Sequence, residues 1–227
     1  TKAADGNYLQ KQVTNTLTFV KATQSSIQVT STSGSYGTPI QLTITGGSGT
    51  GALSYAVSDN GSASCVVNGT QLTFTSAGTC KVVATRDSDN VFDSRSSAAT
   101  TITIDRAVQA PLSVATTTGD LVTGIIVAVN GGGGTGSVST SVSTGTANCT
   151  LTSGLVTARS FGTCSLTISK TSDTNFLSAS TTVTLTFAKA LPALGNVSSP
   201  LSSALGSGIT LAYTGGTGNG AVTVSYT

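Results

Sequence analysis

Gly46-Gly47-Ser48-Gly49-Thr50-Gly51, then Cys65, then Ala77-Gly78-Thr79-Cys80, then Asp89 and Phe92, is a stretch the chain writes twice. It returns as Gly131-Gly132-Gly133-Gly134-Thr135-Gly136, Cys149, Phe161-Gly162-Thr163-Cys164, Asp173 and Phe176. Both cysteine pairs are 15 residues apart. Lys21-Ala22, Arg106-Ala107 and Lys189-Ala190 mark seams about 85 residues apart. A fixed period of this length means a tandem array of one small module.

Two whole repeats fit, 23–107 and 108–190. The ends match pieces of two more. Residues 1–22 read as the C-terminal part of a preceding repeat, with Asp5 and Tyr8 where Asp89 and Phe92 stand. Residues 191–227 read as the N-terminal part of a following one, with Gly215-Gly216-Thr217-Gly218-Asn219-Gly220 as its glycine loop. The expectation is a window on a longer protein.

Charged residues are 8% of the 227, against roughly 25% in ordinary soluble domains, and Ser with Thr fill about a third. There is no histidine and no glutamate; all acids are aspartates. The net charge of +2 is spread thinly, so no basic patch points to nucleic acid. The longest apolar run, Ile125 to Val129, is too short to cross a bilayer, so no membrane insertion is expected of this segment. Paired cysteines in small modules point to an oxidising compartment, outside the cell or on its surface.

Alternation with a period of two dominates. Ile40, Leu42 and Ile44 share a face, as do Leu53, Tyr55 and Val57, and Cys80, Val82 and Ala84. The second repeat answers with Ile125, Val127 and Val129, then Val138 and Val142, then Cys164, Leu166 and Ile168. Closing strands place Ile102 and Ile104, Val183, Leu185 and Phe187, and Leu17 and Phe19. The class is all-β. About seven strands per module, near 25–33, 38–45, 52–58, 62–67, 70–75, 79–86 and 97–105 in the first, suggest a two-sheet sandwich of immunoglobulin type. Asn68-Gly69 reads as the turn of a hairpin, since both residues tolerate positive φ.

Four cysteines allow three pairings. Because each repeat must carry its own bridge, the expectation is Cys65–Cys80 and Cys149–Cys164. The rival, a four-cysteine metal site, needs closer pairs such as C-x-x-C, which are missing.

The glycine loop, a lone Cys, Ala-Gly-Thr-Cys running into alternating apolars, then Asp-x-x-Tyr/Phe and a Thr-rich strand ending in Lys-Ala: this pattern resembles the bacterial Ig-like tandem repeats of very long secreted or surface-attached proteins. The resemblance covers the whole chain and implies non-catalytic stalks or spacers in adhesin-like proteins. The second repeat departs from the first at Gly119-Asp120-Leu121, set against Ser35-Tyr36-Gly37.

Candidate chemistry is sparse. The glycine loops lack the lysine and following helix of a phosphate loop. Asp87, Asp89 and Asp93 form an acidic cluster that could attract calcium, but the equivalent segments keep only Asp5 and Asp173; the competing reading makes the aspartate a turn former with the aromatic as a plug. Without histidine or a paired carboxylate no enzyme activity and no cofactor is expected. The expected partners are neighbouring repeats of the same chain, with lateral or end-to-end self-association as a further option. The alternative function is a self-assembling subunit of an extracellular filament or sheath.

Overall fold

The computed structural model describes residues 1–189, 193, 195–197, 204–208, 212–216 and 219–223. Ala190, Leu191, Thr217 and Gly218, which belong to the seam and glycine-loop assignments above, lie outside the described residues. The described chain is all strand and turn. It divides into unit 1, Thr1–Val108 with Ser172–Leu177, and unit 2, Gln109–Thr171 with Ser178–Thr227.

Unit 1 contains β1 (Ile27–Val29), β2 (Ser33–Ser35), β3 (Ile40–Gln41), β4 (Ile44–Gly46), β5 (Leu53–Asp59), β6 (Val66–Asn68), β7 (Gln71–Thr73), β8 (Gly78–Arg86), β9 (Arg95–Ser96) and β10 (Thr100–Asp105). One sheet runs β2-β10-β8-β5 with β9 also on β8; a second runs β3-β7-β6, and β1 pairs with β4. All pairings are antiparallel except β2 with β10. Cys80 and Val82 of β8 and Ile102 and Ile104 of β10 pack with Ile40, Leu42, Cys65 and Leu72 from the other layer. These alternate positions are almost fully buried, which is what period-two patterning demands of a half-buried strand.

Where seven runs were expected in this repeat, ten strands form. The run 25–33 breaks because β1 pairs antiparallel with β4 while β2 pairs parallel with β10. Between them Ser31 Oγ accepts from Thr43 N and donates to Gln41 O, replacing the ladder with side-chain bonds. The run 38–45 splits for the same reason: β3 belongs with β7, β4 with β1.

Unit 2 repeats the plan with β11 (Ser113–Val114), β12 (Thr118–Asp120), β13 (Ile125–Ile126), β14 (Val129–Asn130), β15 (Val138–Val142), β16 (Thr150–Thr152), β17 (Leu155–Thr157), β18 (Gly162–Lys170) and β19 (Ala179–Ala188). Its sheets are β12-β19-β18-β15, β13-β17-β16 and β11-β14. Here β19 does alone what β9 and β10 share. A further pair, β20 (Asn196–Val197) and β21 (Tyr213–Thr214), follows.

Three expectations need correction. The alternation puts Val138 on the core face, but it is 47% exposed, at the start of an edge strand. Leu17 and Phe19 are 80% and 91% exposed, because no described strand pairs with them, while Ile102, Ile104, Leu185 and Phe187 are buried. The repeats also align one residue earlier than expected at β2 and β12. Gly34 faces Ile104 and Gly119 faces Phe187 in the same parallel register. A Cβ at Gly34 would meet Ile40 Cγ1 at 2.5 Å and at Gly119 Ile125 Cγ1 at 2.6 Å, so this glycine is shared for a packing reason.

Candidate functional site

The disulfides Cys65–Cys80 and Cys149–Cys164 each tie a short hairpin to the long central strand, with Cα atoms 6.2 Å apart in both. The hairpin register differs from expectation. Asn68 pairs with Gln71 as a strand residue, so the two-residue loop is Gly69-Thr70, with Gly69 at φ 60°. The second loop is Ser153-Gly154, with φ 49° and 82°, the pattern of a type I′ turn.

At the opposite end of β8 the repeated motifs meet. In all three Asp-x-x-aromatic segments the aspartate Oδ1 accepts the N–H groups two and three residues on: Asn7 and Tyr8 for Asp5, Val91 and Phe92 for Asp89, Asn175 and Phe176 for Asp173. The backbone closes the same turns, with Asp5 N, Asp89 N and Asp173 N donating to the carbonyl of the aromatic. Asp89 Oδ2 also accepts from Thr50 N at 2.6 Å and from Thr50 Oγ1, which anchors the glycine loop. The Thr50 N–H, with those of Val91 and Phe92, holds the Asp89 carboxyl well below the usual carboxylate range.

Behind this turn lies a residue the sequence reading missed. Gln24 is buried; its Nε2 donates to Asp93 O at 2.8 Å and Asp87 O at 3.2 Å, while its Oε1 accepts from Gly49 N. Gln109 does the same work in the second repeat, donating to Thr171 O and accepting from Gly133 N at 2.9 Å. A buried amide of this kind satisfies loop backbone that neither sheet can reach. The signal was present in Lys21-Ala22-Thr23-Gln24 and Arg106-Ala107-Val108-Gln109: two of the three seams carry the glutamine, and Lys189-Ala190-Leu191-Pro192 does not. A cation completes each loop, Arg86 Nη1 on Gly51 O at 3.0 Å and Lys170 Nζ on Gly134 O at 3.3 Å. The seam alanine is stitched to its turn on both sides: Ala22 N donates to Val91 O and Asp93 N to Ala22 O; Ala107 N donates to Asn175 O and Leu177 N to Ala107 O.

Of the calcium candidates, Asp89 spends both oxygens on N–H and O–H donors, and Asp87 and Asp93 present exposed side chains while their carbonyls serve Gln24. Among the described residues no group of three or more His, Cys, Asp or Glu is placed to hold a metal. The assembly is a hydrogen-bonded clasp made of backbone, amide and carboxylate, and among the described residues it holds no activated nucleophile or proton-transfer pair.

No family model matches the chain, and no curated protein matches it. It is similar to crystal structures of Drosophila N-cadherin EC1-4, at 12% identity over 73% of this chain and 50% of that one with a TM-score of 0.34. A second, of N-cadherin EC1-3, gives 12% identity over 73% and 68% with a TM-score of 0.28. The chain thus spans half the length of the first.

Proposed function

We propose that this chain is a non-catalytic structural array of Ig-like modules, a stalk or spacer within a long extracellular or cell-surface protein of adhesin-like kind. The observation that carries the reading is the same bridged sandwich built twice, each with its Asp-x-x-aromatic turn hydrogen-bonded to both sides of the alanine that ends the preceding repeat. Repeating units follow the limits 23–107 and 108–190, flanked by the partial repeats 1–22 and 191–227. Such stitching suits a part whose task is to hold distance, and the disulfides suit an oxidising exterior.

Stretching single molecules tests this. Two separate unfolding events are expected, and each should lengthen by about 50 Å after reduction as the residues behind the bridge are released. One merged event, or no change on reduction, would overturn it. The alternative, a subunit that assembles laterally into filaments or sheaths, is favoured by the exposed Leu17, Phe19 and Val20. Regular bundles under the electron microscope would support it over isolated thin rods.

A further inference from the structure

Strand β15 (Val138–Val142) ends its sheet, paired on one side only, with β18. The ladder fixes which backbone groups are left over. Ser143 N donates to Ser165 O and Thr171 N to Ser137 O, in the register that sets Thr140 opposite Ile168. Bonded and non-bonded pairs alternate along an antiparallel ladder. The N–H and C=O groups of Val138, Thr140 and Val142 therefore point outward, away from β18. Among the described residues nothing bonds to them.

The first repeat has the same edge in β5 and protects it. Ser58 bulges between Val57 and Asp59, and Asp59 pairs with Lys81 at 3.7 Å. A bulge and charged side chains are devices that keep sheet edges from joining. By contrast β15 pairs without a register shift, and no charged residue occurs from Leu121 to Ala158. Lys170, opposite Val138, is turned onto Gly134 O. Neither edge is open for want of a chain neighbour. A whole repeat follows β5 and a whole repeat precedes β15, yet both end their sheets.

The unprotected edge is also self-complementary, since Ser137 to Ser143 reads Ser-Val-Ser-Thr-Ser-Val-Ser in both directions. We propose that β15 pairs antiparallel with β15 of a second copy of this chain, about a two-fold axis at Thr140. Thr140 N–H then donates to the Thr140 carbonyl of the second copy, and the reverse. Val138 falls opposite Val142 and Ser139 opposite Ser141, neutral pairs of the kind that stabilise neighbouring strands. Val138, 47% exposed, gains cover. Both copies use the same surface, so the association closes at the dimer.

Sedimentation velocity of the intact chain over a wide concentration range tests it. The mean mass should rise toward twice that of the chain and stop. Ser139→Lys with Ser141→Lys sets like charges opposite each other twice and should weaken association about tenfold. Mixing that variant with Ser139→Glu and Ser141→Glu should restore the dimer as a one-to-one pair. Both serines are exposed, and matching circular dichroism spectra check that the variants fold. Thiols read the register. Ser139→Cys mixed with Ser141→Cys should form an interchain disulfide in a glutathione buffer, because directly opposite positions lie about 4.5 Å apart at Cα. Neither variant alone should, since equal positions fall on the diagonal at about 7–8 Å. A chain that stays monomeric, a lysine variant that associates undiminished, or thiols that link in every combination alike would overturn the pairing. The pairing rests on the fold of the second repeat and not on the stalk reading. The two unfolding events expected on stretching stand whether or not it forms, so the two failures are separable.

Discussion

The first and second repeats build the same clasp with different reinforcement. Gln24 reaches two carbonyls within 3.2 Å and has its own carbonyl held by Arg95 Nη1 at 2.6 Å. Gln109 reaches Thr171 O at 3.1 Å, and Ala179 stands where Arg95 would be. Both keep the bond from the glycine loop to the glutamine oxygen. The glutamine is therefore the common requirement, since loop N–H and C=O groups drawn under the sheet must be satisfied. The guanidinium is an addition peculiar to one copy.

The bridges should show no difference between copies. Replacing Cys65 and Cys80, or Cys149 and Cys164, by alanine should each remove about 3 kcal/mol from its own unit, because both loops are the same length. Chemical denaturation followed on single-unit probes checks this, and a clear inequality would show that loop length does not govern the effect. The amides should differ. Gln24→Leu should cost about 3 kcal/mol and Gln109→Leu about 2 kcal/mol, reflecting the number of buried groups left unpaired. Equal losses would mean that the second carbonyl and Arg95 contribute nothing. The hairpin turns give a smaller contrast. Ser153→Asn should stabilise unit 2 by about 0.5 kcal/mol, since asparagine tolerates the left-handed conformation better than serine. A lower melting temperature would count against the type I′ assignment.

Acid sharpens the comparison last. Asp89 has its carboxyl lowered by the N–H groups of Thr50, Val91 and Phe92, and Asp120 by those of Thr123 and Val122. A lowered folded value gives stability that is complete above the unfolded aspartate pKa of about 3.9 and drains away as pH falls toward the folded value. Melting temperature should thus decline below about pH 4, and Asp89→Asn should flatten that slope for unit 1 alone. An unchanged slope would refute the role given to Thr50.

Much of this was open to inspection in the residues. Cys80, Val82 and Ala84, and Ile102 with Ile104, alternate so strictly that their burial followed from pattern alone. Alternation does not name a strand's partner, however, which is why the switch near Ser31 and the split of 38–45 stayed hidden. Nor does it report a polar side chain drawn inward: Gln24 looks like surface until the carbonyls around it are in view. The turn at Gly69-Thr70 slipped by one residue because Asn68 and Gly69 tolerate the same backbone region, and only pairing decides between them. The Asp-x-x-aromatic turns were legible as turns, but their hold on the glycine loop required Thr50 to be seen beside Asp89.

The parallel pairing of β2 with β10, and of β12 with β19, has a consequence under tension. These strands lie near opposite ends of each repeat yet run side by side in one direction. Pulling the ends apart slides one strand along the other, so their hydrogen bonds take the load together. An antiparallel pair tugged from one end would instead open like a zipper, one bond after another.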